Sequence, residues 1–276
     1  MVKAITVAPA VPHRTGHWRL LYYDAPTRGE QIRLLFFLAS TPFDDVRLHP
    51  FPEGLDPYRK AALGDASPLL GTDLCPAVTA PDGTHCVETA DIMKFVGERV
   101  GLAPEAPGSQ VKAVELTLLA QSLLDGCFYA RLKSECVRLI AKKEWYVGWV
   151  LRPLMAPTAE DEAPRAKLAA ALPTLEAALE AAGGAQPFLC GASLTYADAA
   201  VFNVLYECFE YTCFDEKDLL ADKPRLRAYL TEMRARCAGH FERRATEHQC
   251  GFKSAAAFLA ATNTPFPWSR VVKKRE

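Results

Sequence analysis

Trp18-Arg19-Leu20-Leu21-Tyr22-Tyr23-Asp24-Ala25-Pro26-Thr27-Arg28-Gly29-Glu30-Gln31-Ile32-Arg33 is the stretch on which the reading of the whole chain turns. Its first six residues form a short apolar, aromatic run of the kind that makes a buried strand. A Pro/Thr/Gly turn follows, and then Ile32, Leu35, Phe36 and Ala39 share one face at helical spacing. A strand, a loop and a helix within about twenty-five residues open a βα unit. A tyrosine at the end of such a strand, just before a helix N-terminus, stands where a phenol can meet a ligand. Taken alone, Tyr22 reads more simply as a core tyrosine whose hydroxyl is satisfied locally.

Working outward, Phe43–Leu48 reads as a second strand, and a Pro- and Gly-rich region at 50–71 holds one short helix near 57–63. Residues 74–80 and 84–87 are β-prone and flank Pro81-Asp82-Gly83, a hairpin turn in which Pro presets φ and Gly tolerates positive φ. Glu88-Thr89 opens a helix with Ile92, Phe95, Val96 and Arg99 three and four apart. The order β-α-β-α-β-β-α describes a small α/β domain over 17–100, followed by a Pro/Gly-dense linker at 101–109. Beyond it no strand is expected and 110–276 reads as an all-helical domain. Helices are expected at 110–139, at 165–182 with Gly183-Gly184 as a C-terminal stop, at Tyr196–Tyr211, at 224–236 and at 253–261.

Composition narrows the function classes. A net charge of -1 gives no basic field to draw in nucleic acid or an anionic membrane, and Lys273-Lys274-Arg275 is too short to change that. No apolar run approaches the length of a membrane span, and the first sixteen residues lack the apolar core of a secretory signal. The nine cysteines are scattered, with no C-x-x-C pair, so reduced thiols in a cytoplasmic protein fit better than a disulfide framework or a zinc site. No metal site is expected.

Three separated pieces resemble the cytosolic glutathione transferases. Leu21-Tyr22-Tyr23 with Arg28-Gly29-Glu30 and Arg33 resembles the first strand and helix of the tyrosine-type classes, closest to the sigma, or haematopoietic prostaglandin D synthase-like, pattern. Cys75-Pro76-Ala77-Val78 with Glu88-Thr89-Ala90-Asp91-Ile92 resembles the family's cis-proline and the acid–hydroxyl pair before its third helix. Phe188-Leu189-Cys190-Gly191-Ala192-Ser193-Leu194-Thr195-Tyr196-Ala197-Asp198 resembles the signature of the helical domain and is the most specific of the three.

The resemblance implies a thioredoxin-like N-terminal domain joined to a helical C-terminal one, a homodimer, and glutathione as cosubstrate with no other cofactor. Tyr22 is then the catalytic tyrosine, donating a hydrogen bond to the glutathione sulfur, with Arg28 supporting the thiolate electrostatically. Tyr23, one residue on, points to the other face of the strand and serves as a control. Cys75, turned by a cis Pro76, presents its backbone to the cysteinyl unit, Glu88 takes the γ-glutamyl ammonium, and Thr89 caps a helix N-terminus suited to the carboxylate. Lys60 is a candidate for the glycyl end, with Tyr58 and Arg59 as neighbours, and either Glu115 or Asp125 is the acid that crosses the dimer. Ala25, Thr27, Phe128, Tyr129 and Leu132 are expected to line an apolar electrophile pocket between the domains, covered by 142–157 and by the tail through Phe266 and Trp268. Thr195 and Asp198 form a capping pattern assigned to stability. The sequence departs from the family pattern at Pro26, where an arginine is usual, and in the longer segment before Pro76. That departure favours the alternative of a non-catalytic, transferase-like interaction protein. A cysteine-type thiol reductase would need a cysteine close to Tyr22 in sequence, and the first cysteine is Cys75.

Overall fold

The computed structural model describes residues 9–23, 27–48, 53–72, 74–143, 159–183, 188–211 and 214–247, with the backbone alone at 127–143, 159–161, 211 and 244–247. The apolar run expected as a strand is β1 (Trp18–Tyr23), which lies inside a four-stranded sheet with β2 (Phe43–Leu48), β3 (Ala77–Thr79) and β4 (His85–Val87). The strand order is β2-β1-β3-β4, with β2 parallel to β1, β3 antiparallel to β1 and β4 antiparallel to β3. Side chains alternate across the sheet. Trp18, Leu20 and Tyr22 join the main core, whereas Leu21 joins Leu48, Leu55, Tyr58, Leu69 and Ala77 on the opposite face. Burial on both faces explains why β1 reads as an unbroken apolar run instead of an alternating one.

Helix α1 (Arg28–Leu38) and helix α3 (Thr89–Arg99) cover the Trp18–Tyr22 face. The segment before Pro76 contributes a 3-10 turn at Glu53–Tyr58, the four-residue helix α2 (Lys60–Leu63) and a second 3-10 turn at Gly64–Ala66. The remaining helices are α4 (Pro107–Lys143), α5 (Ala159–Ala182), α6 (Tyr196–Tyr211), α7 (Glu216–Leu219) and α8 (Pro224–Glu247). Among the described residues, together they give a thioredoxin-like α/β unit followed by helices. Helix α6 is buried along most of its length and packs against α4, α1, α3 and α8, as an apolar helix at the centre of a core should. No helix of the described residues is long and apolar enough to cross a membrane.

Several helix bounds differ from those expected. Helix α4 starts at Pro107, inside the segment read as linker, because proline is well suited to a first helical position. Helix α8 continues to Glu247 instead of ending at 236. Its last turns are polar and are held by contacts with α1: His240 lies 2.7 Å from Glu30, and the Arg243 guanidinium sits 5.2 Å from the centre of the Phe37 ring. Gly183 adopts φ +64, consistent with a left-handed stop for α5. The helix expected at 253–261, the segment 144–157 and the tail residues Phe266 and Trp268 lie outside the described residues.

The segment that resembles the helical-domain signature earns its place by anchoring the start of α6. Asp198 is fully buried, and its Oδ1 accepts the Leu189 N–H at 2.9 Å. Its Oδ2 accepts both the N–H and the hydroxyl of Thr195 at 2.8 Å. Burial pushes the Asp198 carboxyl up to about 6, against the pull of these donors, which favour its ionised form.

Tyr196, beside it, joins the two halves of the chain. Its N–H donates to the Leu102 carbonyl at 2.8 Å, and its ring lies against Gly97 of α3. A Cβ at Gly97 would stand 2.6 Å from Tyr196 Cδ1, and Tyr196 is 1 % exposed with no room to retreat. Gly97→Ala is therefore expected to destabilise the protein by about 1–3 kcal/mol through overpacking. Gly108→Ala, with nothing within 4 Å of the new methyl, should be neutral or slightly stabilising. Urea midpoints for the two variants check this pair of outcomes.

Candidate functional site

Strand register brings three short segments to one end of the sheet. Leu21 pairs with Ala77, and Ala77 pairs with Val87. One step further along β1 is Tyr22, one step back along β3 is Pro76, and one step on from β4 is Glu88. Tyr22, Cys75-Pro76 and Glu88-Thr89 therefore meet at the edge where α1 and α3 begin. This is the end of the sheet at which the parallel strands β1 and β2 finish, the usual location of ligand crevices in open α/β sheets.

Tyr22 is buried, 8 % exposed, and its ring packs closely against Gly29 in the first turn of α1. Gly29 makes that possible: a Cβ there would collide with Cδ1 of the ring and stand 2.5 Å from Cγ. The Tyr22 hydroxyl is 2.6 Å from the Thr27 hydroxyl. Burial raises the phenol above its ordinary pKa, with the neighbouring Cys75 adding to the rise, and the Thr27 hydrogen bond and the charges of Arg28 and Arg33 only partly oppose it. Tyr22 thus stays a neutral phenol, a donor by nature.

Thr27 has a different part from the one expected. It was expected to line an apolar pocket, yet it is 5 % exposed and spends its hydroxyl on Tyr22. It stands at the N-cap of α1, but its side chain makes no capping bond to the helix. A threonine in that position ordinarily accepts from a first-turn amide, a contact worth about 1 kcal/mol.

The Cys75–Pro76 peptide is cis, and Pro76 is buried. The Cys75 thiol lies close enough to both tyrosines for its charge to act on them, and it accepts from the backbone of Tyr23. A cysteine therefore does reach the neighbourhood of Tyr22, although the sequence distance hides it. Burial pushes that thiol up to about 12, against the pull of the Tyr23 backbone and of Arg28 and Arg59. It is no thiolate nucleophile at neutral pH.

Arg28, at the first position of α1, bonds Asp125 of α4 at 2.5 Å. Asp125 thereby ties the two halves of one chain together, which is a different contact from the cross-dimer role considered for it. Gln121 of α4 adds a second tie, donating to Gln31 of α1. The charge of Arg28 reaches both Tyr22 and Cys75. Lys60 is exposed and pairs with Asp65 at 3.6 Å. Arg59, one residue earlier, is the cation whose charge acts on Cys75 and Tyr23, a distinction the sequence could not draw within so short a helix.

Glu88 has φ +65 and ψ +122, a conformation that a non-glycine residue holds only at a cost of about 1–3 kcal/mol and that clusters at ligand sites. Glu88 itself is the N-cap of α3, and Thr89, 6 % exposed, is the first helical residue, one place on from the capping position expected for it. Tyr23 turns to the other face, against the smaller core, as β alternation requires.

Ala25 lies outside the described residues, as do the side chains of Phe128, Tyr129 and Leu132. A cleft of about 540 Å³ opens instead behind α1, lined by residues including Arg33, Phe37, Asp45, Arg47, His240 and Arg243. Thr27, the one described side chain among those expected to line an electrophile pocket, does not border it. Its charged side chains form a connected ionic chain: Arg33 and Arg47 both pair with Asp45, and Arg33 also pairs with Glu30.

Residues 151–237 match the family model for the glutathione S-transferase C-terminal domain. The chain is 28 % identical over 191 residues to glutathione S-transferase 1 of Ascaris suum, an alignment covering 68 % of this chain and 78 % of that one. Among solved structures, the Ascaris lumbricoides glutathione S-transferase superposes with a TM-score of 0.57 at 20 % identity, covering 84 % of this chain and 97 % of that one. The Pi-class enzyme of Onchocerca volvulus gives 0.58 at 17 %, covering 83 % and 94 %, and the sigma-class enzyme of Fasciola hepatica gives 0.57 at 18 %, covering 83 % and 96 %. The fold matches a Pi-class and a sigma-class structure equally and so does not favour the sigma class. In fold along most of its length, and in the sequence of residues 151–237, the chain is similar to glutathione S-transferases.

Proposed function

We propose that this protein is a tyrosine-type glutathione transferase, in which the Tyr22 phenol holds the glutathione sulfur as a thiolate for attack on apolar electrophiles. The observation that carries this reading is a buried, neutral phenol at the end of β1, beside a cis-prolyl bond at Cys75–Pro76. A free thiol, with a pKa of about 8.5, is mostly protonated at neutral pH, and each unit of lowering needs about 1.4 kcal/mol of preference for the anion. A neutral hydroxyl donor in a low-dielectric site supplies that preference, and the charge of Arg28 adds to it.

Around the sulfur, the cysteinyl backbone pairs with Cys75, and the γ-glutamyl end meets Glu88 and the N-terminus of α3 at Thr89. Arg59 joins Lys60 as a candidate for the glycyl carboxylate. Residues 17–100 would then be the glutathione-binding domain, 101–109 the connection, and 110–276 the helical domain that completes an apolar site for the second substrate, in a homodimer. The thiol proton leaves to solvent. The thiolate's electron pair then forms the carbon–sulfur bond as the electrophile's leaving group departs with its own pair.

The test is turnover of glutathione with chlorodinitrobenzene, read by the absorbance of the conjugate. Saturable, glutathione-dependent turnover is expected. Retention on immobilised glutathione without turnover would instead support a transferase-like interaction protein, the reading that the altered segment before Pro76 favours.

A further inference from the structure

Two buried hydroxyls 2.6 Å apart can share only one proton at a time, so one of them must be the acceptor. Among the described residues, each is the only hydrogen-bond partner of the other's side-chain oxygen. With no anion nearby the two directions compete. A sulfur anion beside the phenol removes the competition, because a charged acceptor takes the phenolic proton in preference to a neutral hydroxyl. The phenol oxygen is then left as an acceptor, and the Thr27 hydroxyl is already in place to donate to it. Donors arranged in series polarise one another, so the phenol becomes a stronger donor toward sulfur than it would be alone. That Thr27 makes no capping bond to α1, although it occupies the capping position, is the second observation. Its hydroxyl is directed to the phenol and away from the helix.

We infer that Thr27 is a positioning residue for Tyr22, the rear member of a two-hydroxyl donor chain that ends on the glutathione sulfur. The inference rests on the proposed thiol-activating role of Tyr22 and deepens it. The other charged or titratable groups that act on the phenol are Arg28 and Arg33 of α1 and Cys75 before β3, with Tyr23 coupled to it from the opposite face of β1. All of these remain in place when Thr27 alone is changed.

The test compares Thr27→Val, Thr27→Ser, Tyr22→Phe and the double variant Tyr22→Phe/Thr27→Val in the full chain. It reads kcat/KM for glutathione against pH, the ultraviolet absorbance of the bound thiolate, and the thermal midpoint of each protein. Thr27→Val is expected to lose about 5-fold in kcat/KM at pH values below the midpoint of thiolate formation, the worth of one neutral hydrogen bond. Its pH midpoint for thiolate formation should rise by about 0.7, the same factor expressed on a pH scale. The deficit should close in alkaline buffer, and Thr27→Ser should behave as wild type. Because Thr27 acts through the phenol, its change should add nothing in the Tyr22→Phe background.

A Thr27→Val protein that melts earlier but keeps the wild-type pH profile would overturn the inference, leaving the role of Tyr22 intact. An equal loss from Thr27→Val with and without the phenol would overturn it as well. If Tyr22→Phe itself leaves the profile unchanged, the thiol-activating reading and this inference fall together. Should Thr27→Val not fold, Thr27→Ala and the double variant carry the same comparison.

Discussion

Tyr22→Phe should lower glutathione-dependent turnover by about 30-fold at neutral pH, the ratio between a fully ionised thiol and one at its free pKa. The reason lies in ionisation. Without the phenolic proton the bound thiol returns toward its free pKa of about 8.5, and only a few per cent of it is thiolate at pH 7. The loss should therefore shrink as pH rises through the thiol's own range, where the anion forms unaided. The ring of the phenylalanine still fills the space above Gly29, so stability should change little. Tyr23→Phe, on the opposite face of β1, should leave the rate within about 2-fold, since surface and remote changes seldom exceed ±0.5 kcal/mol. Rates across pH for both variants provide the check. A Tyr22→Phe enzyme with wild-type turnover at neutral pH would end the proposed mechanism.

Asp198→Ala should cost about 3–5 kcal/mol of folding stability, a large share of the 5–15 kcal/mol that a typical domain possesses. The carboxylate takes the Leu189 N–H, the Thr195 N–H and the Thr195 hydroxyl, all in a buried setting. An alanine leaves both amides without an acceptor and with no path to water, and each buried orphan donor costs about 1–3 kcal/mol. It also removes an anion from the first turn of α6, where the helix dipole favours one. Asp198→Asn keeps one acceptor oxygen and should recover only part of the loss. Urea unfolding followed by circular dichroism measures the difference, and a shift of less than about 1 kcal/mol would contradict the account given to this carboxylate.

The fold was legible where burial is periodic or where backbone chemistry is local. β1 and α1 announced themselves by an apolar run that gives way to helical spacing, and Pro81-Asp82-Gly83 by its turn chemistry. The C-terminal extent of α8 was not legible, because beyond Cys237 and Phe241 its last turns are polar, and they are held by contacts such as His240 with Glu30, some two hundred residues away in sequence. At the candidate site, the sequence placed Tyr22, Pro76 and Glu88 through resemblance, and strand register accounts for their meeting. What it could not supply is side-chain direction. Nothing in a threonine before a helix says that it will face a tyrosine instead of capping the turn. Nor does a glutamate advertise a positive φ, and Arg59 and Lys60 differ by a single step in a helix too short to show periodicity.

The close seat that Gly29 offers the Tyr22 ring reaches beyond packing. Residues 27, 28 and 29 are consecutive, and they set respectively the hydroxyl that meets the phenol, a cation whose charge acts on it, and the clearance beside its ring. Orientation, field and clearance are thus fixed by one rigid backbone turn. Any movement of α1 carries all of them together, so their mutual alignment survives displacements that would scramble a centre assembled from separate loops.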